Sequence, residues 1–130
     1  MICPSDTPDG ESCGLVKTLA LLTHITNESD EEGLHKLIIS MGVEDLGHFC
    51  PHEYYAMGNY LVFINGNIIG LHRQPEKLTS NIRLLRRRGK INEFVSVFID
   101  TKRKSVFVSS DSGRLVRPLI IVKNGVALLR

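Results

Sequence analysis

A tightly specified turn lies close to the start of this 130-residue chain. In Thr7-Pro8-Asp9-Gly10, the proline presets φ at the second turn position, and the glycine can adopt the positive φ that ends such a turn. Pro4 stiffens the approach, and Gly14 lets the backbone pass close to another segment. The sequence therefore predicts a loop of fixed shape from Pro4 to Gly14, either a well-made surface turn or a scaffold that positions polar groups.

The same loop is rich in carboxylates, with Asp6, Asp9 and Glu11 close together beside Ser12. Carboxylates can bind a metal when they converge in a fixed geometry, but this spacing does not resemble a calcium-binding loop. No metal site is therefore expected in the loop.

The cysteines and histidines raise two further hypotheses. His48, Cys50 and His52 lack a second ligand pair at zinc-site spacing, although Cys3 or Cys13 could in principle complete the set. Cys13 has no histidine and acid positioned beside it by sequence, so a small buried thiol is favoured over a nucleophile. We expect no metal ligands and no catalytic residue in this chain.

Composition excludes several classes of protein. Sixteen basic and fourteen acidic residues leave a net charge of +2, which is too small to indicate nucleic-acid binding by itself. No apolar run approaches the ~20 residues of a membrane helix. Three cysteines, an odd number, favour a reducing compartment over a disulfide framework.

Apolar spacing predicts a first helix over residues 31–41, ended by Gly42. The segment from Glu44 to Asn59 has no clear period and is predicted to be a loop with one short turn. Tyr60–Ile64 and Asn67–His72 are then expected to pair as a β-hairpin across Asn65-Gly66.

In the second half of the chain, the sequence predicts one helix followed by strands. Pro75 opens this main helix and Gly89 ends it. Antiparallel strands are expected at residues 94–100 and 105–110, and a last strand at residues 115–122, which Pro118 limits to a sheet edge or a bulge. The fold class is a small mixed α+β unit, a hairpin, one main helix and antiparallel strands, preceded by a segment that contains a helix.

A basic cluster lies at the end of the main helix: Arg83, Arg86, Arg87, Arg88 and Lys90. Cations supply the salt-dependent part of nucleic-acid affinity, so Arg86, Arg87 and Arg88 are candidates for weak phosphate contact. Cations also suit a helix C-terminus, and no aromatic residues interleave the cluster for base stacking. Both interpretations stay open, with the solvated helix end favoured.

Five blocks in fixed order resemble the second-largest (β-like) subunits of multisubunit DNA-dependent RNA polymerases. The first block reads Cys-Pro-x-Asp-Thr-Pro-Asp-Gly followed by Gly-Leu-Val. The blocks span Ile2–Leu21, Gly42–Leu46, Val62–Gly70, Arg83–Gly89 and Ser110–Pro118. Within that family, four segments resemble the polymerase III branch: Ser5-Asp6, Thr23–Thr26, Gly42–Asp45 and Gly89–Ser96.

The resemblance implies a piece of a much longer subunit. Residues 1–58 would be the C-terminal part of the fork region (domain 3) with a connector. Residues 59–120 would be the external 2 domain (domain 4), and residues 121–130 would begin domain 5. The loop would line the active-centre cleft, with Pro8, Asp9 and Ser12 facing it, and Pro4, Thr7, Gly10 and Gly14 shaping it.

The resemblance also implies the activity and its setting. The parent enzyme would be a nuclear nucleotidyltransferase that makes small non-coding RNAs such as tRNA and 5S rRNA. In the resembled family, the aspartates that hold Mg²⁺ belong mainly to the largest subunit. Their Asp-Phe-Asp-Gly-Asp motif is absent from this sequence, so the fragment alone is expected to be inactive. The expected partners are the largest subunit, other polymerase III subunits, the DNA template and the RNA transcript, with no membrane.

An alternative hypothesis is a free-standing interaction module. It would bind nucleic acid weakly through the basic end of the main helix.

Overall fold

The computed structural model describes residues 1–128. It contains two α-helices, nine short strands and two 3-10 turns in that range. In chain order these are β1 (His24–Ile25), α1 (Glu31–Ser40), β2 (Glu44–Asp45), 3-10 turns at Leu46–His48 and Pro51–Tyr55, β3 (Tyr60–Ile64), β4 (Asn67–His72), α2 (Pro75–Arg87), β5 (Ser96–Asp100), β6 (Ser105–Ser109), β7 (Leu115–Val116), β8 (Val122–Lys123) and β9 (Val126–Ala127). This is the predicted mixed α+β class.

The chain forms two compact units. One consists of Met1–Asn27 together with the chain from Gly113 onward, and the other is Glu28–Ser112. The predicted boundaries at residues 58 and 120 concern polymerase domains and stay a prediction.

The hairpin of β3 and β4 forms as its turn sequence predicts. Asn65 and Gly66 both have positive φ, at 49° and 84°, which is the conformation of a type I′ turn. The ladder pairs Tyr60 with His72 and Ile64 with Asn67, and a bulge interrupts it between Val62 and Phe63. The two-residue turn therefore fixes the register in which β3 and β4 pair next to it.

A five-stranded sheet in the order β2-β4-β3-β6-β5 organises the second unit. The prediction of antiparallel strands holds for β5 with β6, but β6 pairs with β3 in parallel. Val106 and Val108 of β6 are almost completely buried, and Phe107 between them is apolar on the opposite face. A strand that is apolar on both faces belongs in the middle of a sheet, which places it beside the hairpin.

The hydrophobic core lies where both helices pack on this sheet. Its buried residues come from α1, α2 and the strands with their flanking loops: Leu34, Ile38, Val43, Val62, Ile64, Leu78, Ile82, Val95, Val97, Val106 and Val108. Fully burying one such side chain stabilises a fold by about 1.5–3 kcal/mol. All of these residues belong to the second unit, which therefore has its own core.

Both predicted helix-ending glycines end their helices. Gly42 follows α1 with φ of 95°, and its N–H donates to the Ile39 carbonyl. After α2, the Gly89 N–H donates to the Arg86 carbonyl and the Lys90 N–H to the Leu85 carbonyl, which is a Schellman arrangement.

Two predictions for the remaining segments are wrong in detail. The segment predicted as a loop contains β2, whose Glu44 and Asp45 pair with the outer side of β4. The single strand predicted over residues 115–122 is instead two short strands, β7 and β8, separated by an unpaired stretch that contains Pro118. Proline lacks the N–H that a continuous ladder needs.

The first unit is held by short pairings. β1 pairs with β7 and β8 with β9, both antiparallel. Thr26 is buried and accepts the Arg114 N–H on its hydroxyl at 3.0 Å, and its own N–H donates to the Arg114 carbonyl at 2.9 Å. No helix of the described residues has the length and apolarity needed to cross a membrane.

Asn65 has a second role besides its turn conformation, and that role can be tested separately. Its amide oxygen accepts the Ser110 N–H at 2.8 Å, and its amide nitrogen donates to the Ser110 hydroxyl at 3.0 Å. Asn65→Gly keeps the positive φ but removes both bonds beside the buried Ser110. We expect a loss of about 1–3 kcal/mol in the free energy of unfolding, measured by urea denaturation.

The matched control is Asn67→Gly, which lies on the other side of the same turn and is exposed. An equal loss in both variants would mean that glycine entropy accounts for the effect, and not the bonds to Ser110.

Candidate functional site

The opening loop is closed at its base by antiparallel backbone contacts. Ile2 and Leu19 form an isolated bridge. The Cys3 N–H donates to the Thr18 carbonyl at 2.9 Å, and the Ala20 N–H donates to the Met1 carbonyl at 2.8 Å. The two ends of the loop, residues 1–3 and 18–20, are therefore held side by side.

Thr7 links two distant parts of the loop. Its hydroxyl accepts the Gly14 N–H at 3.0 Å and donates to the Val16 carbonyl at 3.2 Å. Thr7 is half-buried, whereas most of the loop is exposed. The predicted loop-shaping residue thus acts through its side chain, which ties the middle of the loop to its returning arm.

The two loop glycines have the backbone conformation that the sequence predicts. Gly10 has φ of 87° and Gly14 of 77°. A Cβ atom on either glycine would meet nothing within 4 Å, so φ and not crowding requires glycine there. The Cys13 N–H donates to the Gly10 carbonyl, and the Val16 N–H to the Ser12 carbonyl. These bonds form a short turned segment on the returning side of the loop.

The loop presents an acidic, exposed surface. Pro8, Asp9 and Ser12 are all exposed, as are Asp6 and Glu11. Carboxylates repel phosphate, so this surface suits hydrogen bonding to bases or sugar hydroxyls better than backbone neutralisation. The assignment of Pro8, Asp9 and Ser12 to a cleft stays a prediction.

The arginines of the basic cluster at the end of α2 differ in exposure and in hydrogen bonding. Arg86 is half-buried, and its Nη1 donates to the Val95 carbonyl at 2.8 Å. Burial, with the nearby Arg83 and Arg87, lowers the pKa of the Arg86 guanidinium. Arg87 and Arg88 are exposed at the end of α2. Of the three arginines predicted to contact phosphate, Arg87 and Arg88 expose their charge to solvent, whereas Arg86 is bound to the backbone.

Among residues 1–128, no three His, Cys, Asp or Glu side chains converge closely enough to hold a metal ion. This includes His48, Cys50 and His52, where the Cys50 N–H donates instead to the Glu53 carboxylate at 2.8 Å.

His72 is a structural residue that sequence reasoning missed. It is buried at the end of β4, where its Nδ1 accepts the Gln74 N–H at 2.9 Å and its Nε2 lies 3.3 Å from the Met41 carbonyl. Since Nδ1 accepts, Nε2 carries the proton and donates. The side chain thus joins the end of α1 to the start of α2, beside a cavity of about 220 Å³. As the last residue of an apolar strand, His72 showed no sequence signal of this role.

Thr7→Val tests the hydroxyl link in the loop. The change preserves the shape of the side chain and removes both hydrogen bonds. We expect the exchange of the Gly14 amide hydrogen to quicken by about fivefold to tenfold, since one net hydrogen bond contributes about 1 kcal/mol. Thr18→Val, at the base of the loop, is the control, because the Thr18 hydroxyl makes neither bond. Unchanged exchange at Gly14 would contradict the link.

Arg86 and Arg87 should differ sharply on mutation. Arg86→Ala leaves the Val95 carbonyl without its partner and should reduce the free energy of unfolding by about 1–3 kcal/mol. Arg87→Ala removes the same charge from an exposed position and should change stability by less than about 0.5 kcal/mol. Thermal denaturation of both variants measures this, and equal effects would contradict a structural role for Arg86.

Comparison with known proteins identifies the family. The family model described as RNA polymerase Rpb2, domain 4, matches residues 62–123, and the model for Rpb2, domain 3, matches residues 1–25. Together they match about two thirds of the chain.

Individual relatives agree. The chain is 50% identical over 125 residues to DNA-directed RNA polymerase III subunit RPC2 of Schizosaccharomyces pombe, which covers 96% of this chain and 11% of that protein. It is 46% identical over 130 residues to DNA-directed RNA polymerase III subunit 2 of Arabidopsis thaliana, covering 100% of this chain and 11% of that protein.

A polymerase II relative is more distant. Identity to subunit RPB2 of Eremothecium gossypii is 38% over 122 residues, covering 94% of this chain and 10% of that protein. The chain thus spans about a tenth of the length of these relatives. Its matches to two domain models of one subunit show that the chain belongs to the Rpb2 family of RNA polymerase second-largest subunits, and it is more similar to the two polymerase III subunits than to this polymerase II subunit.

Proposed function

We propose that this chain is part of the second-largest subunit of DNA-directed RNA polymerase III. The observation that carries the proposal is the difference in identity, 50% and 46% to polymerase III subunits against 38% to a polymerase II subunit. The proposed activity is DNA-templated RNA synthesis in the nucleus, with small non-coding RNAs such as tRNA and 5S rRNA as products.

Within that enzyme, the proposed role of the opening loop is to form part of the wall of the active-centre cleft. The support is physical. The loop is closed at its base, tied internally by Thr7, and turned by two glycines with positive φ. A loop of fixed shape can hold Asp9 and Ser12 toward bases or sugar hydroxyls of a nucleic acid. Residues 1–58 would then belong to the fork region, and residues 59–120 to external 2.

Nucleotidyl transfer requires metal ions that hold the reacting phosphates. The acidic side chains of the described loop do not converge into such a site. The resemblance to RNA polymerase second-largest subunits implies that Mg²⁺ is held mainly by the largest subunit, and the role that we propose for this chain is the shaping of the cleft. The proposed partners are the largest subunit, other polymerase III subunits, the template and the transcript.

The first unit favours this proposal over a free-standing module. Its large apolar side chains are widely exposed, with Leu21 at 84% and Leu119 at 88%, and none of its described residues belongs to the buried hydrophobic core. Exposed apolar side chains recur within residues 15–25 and again at residues 119–122. Concentrated exposure of apolar side chains marks surfaces that bind other protein. A piece of a larger subunit accounts for it, because neighbouring protein would cover it.

Substitutions in the loop test its proposed role. In a full-length polymerase III subunit assembled with its partners, Gly10→Val places a β-branched residue at positive φ, with strain of about 1–3 kcal/mol. We expect altered nucleotide addition, pausing or termination in single-round transcription. Asp9→Ala should change the same steps more mildly, because it removes one exposed polar group without straining the backbone.

Gly10→Asn is the matched control, because asparagine tolerates the left-handed region. It should transcribe nearly as the unmodified enzyme does. Normal elongation and termination by both Gly10→Val and Asp9→Ala, with normal assembly, would refute the functional role and leave a structural turn.

A further inference from the structure

The outer edge of β5 is open. β5 is the last strand of the five-stranded sheet and, among residues 1–128, pairs with β6 alone. Natural edge strands are commonly protected by lysine, proline or a bulge. β5 reads Ser-Val-Phe-Ile-Asp, and its register with β6 runs without a shift, so it carries none of these devices.

Hydrogen bonding in the sheet determines which groups of β5 face outward. The Leu61 N–H donates to the Lys104 carbonyl and the Asn65 N–H to the Val108 carbonyl, so Val108 turns its backbone toward β3. Phe107, one residue earlier, turns its backbone toward β5 and lies opposite Phe98. The alternate residues of β5, Val97 and Ile99, therefore point their N–H and C=O groups away from the sheet.

This open stretch has defined ends. On one side, the outward carbonyl of Val95 is already occupied by the Arg86 guanidinium at 2.8 Å. On the other side, the Asp100 carboxylate accepts the backbone N–H groups of Lys102 and Arg103 and closes the turn to β6. Four backbone groups, from Val97 and Ile99, remain for a partner strand.

An exposed aromatic side chain lies beside these groups. Phe98 is 62% exposed, although it lies in the middle of a strand. Its neighbour Phe107 stacks on Phe63 with ring centroids 5.0 Å apart, so the three rings form an apolar row on one face of the sheet. A strand added along β5 would place a side chain next to Phe98 and extend this row.

Charge near the edge limits the chemistry of that strand. The turn after β5 begins with Lys102 and Arg103, and the Arg103 side chain is 79% exposed, with its Nε 3.8 Å from the Asp100 carboxylate. Lys104 ends the turn on the other side, where its carbonyl accepts the Leu61 N–H of β3. An acidic residue at the adjoining end of an added strand would meet Lys102 and Arg103.

We propose that β5 binds an extended segment of another protein by β-strand addition. The segment would have alternating apolar side chains, one of them packed on Phe98, and an acidic residue beside Lys102 and Arg103. Main-chain hydrogen bonds to Val97 and Ile99 would supply affinity, and Phe98 with the basic turn would supply specificity. The proposal concerns the second unit and does not depend on the polymerase role of the opening loop.

The test is selection of a random peptide library displayed on phage against the 130-residue chain, with peptides of about ten residues, the upper range of a natural strand. Enriched peptides should alternate apolar residues and carry Asp or Glu near one end. Synthetic copies should slow amide exchange at Val97 and Ile99, and N-methylation of alternate peptide bonds should abolish binding.

Phe98→Lys places a charge on the open edge and should weaken binding about tenfold or more, equivalent to ~1.4 kcal/mol. Ile68→Lys is the matched control. Ile68 is 48% exposed, lies opposite Phe63 within β4, and gives the same change in charge away from the edge. It should leave affinity within about twofold. Circular dichroism of both variants verifies that each is folded.

Three outcomes would overturn the proposal. The first is no enrichment over the Phe98→Lys chain, and the second is equal weakening by both lysine substitutions. The third is a dimer of the chain, seen by sedimentation, that Phe98→Lys dissociates, because a second copy would then occupy the edge.

Discussion

Burial of β6 between β3 and β5 is the interaction on which the second unit depends. In the described sheet, β6 alone connects β5 to the hairpin, and its Val106 and Val108 are almost completely buried against the side that both helices cover. Removing that burial would detach β5 and the contacts that α2 makes with it. The backbone pattern that β6 imposes also decides which groups of β5 face outward. One packing choice therefore determines both the stability of the core and the nature of the sheet edge.

Features with local causes were predictable from the sequence. Asn65-Gly66 specifies its turn, and Gly42 and Gly89 end their helices, because the required positive φ depends on a few neighbouring residues. The existence of β2 and the parallel pairing of β3 with β6 could not be predicted, because both depend on segments that are distant in the sequence. β2 approaches β4 so closely that a Cβ atom at Gly70 would clash with the Glu44 carbonyl. A short polar dipeptide such as Glu44-Asp45 carries no sign of that approach.

The candidate site divides in the same way. The turn at Gly10 follows from its sequence, whereas the link from Thr7 to Gly14 and Val16 spans seven to nine residues and has no local signature. The basic cluster shows the limit of reasoning from charge. Arg86 and its neighbour Arg87 are the same residue type in one run, but the helix turns Arg86 toward the Val95 carbonyl and leaves Arg87 in solvent. The position of each arginine on the helix, and not the composition of the cluster, determines whether it binds the backbone or stays available to contact phosphate.

The two units are stabilised by different physics, and this bears on how the loop acquires its shape. The second unit has a buried apolar core, whereas the opening loop is held by hydrogen bonds among exposed groups, where water competes and each bond contributes only about 1 kcal/mol. Apolar residues beside the loop, including Leu15 at 76% exposure, add little while they face solvent. Covering them with neighbouring protein would supply the missing hydrophobic term at the same time as it completed a cleft. Under the proposed function, the loop would become rigid when the enzyme assembles, because the same contacts would stabilise the assembly and the loop.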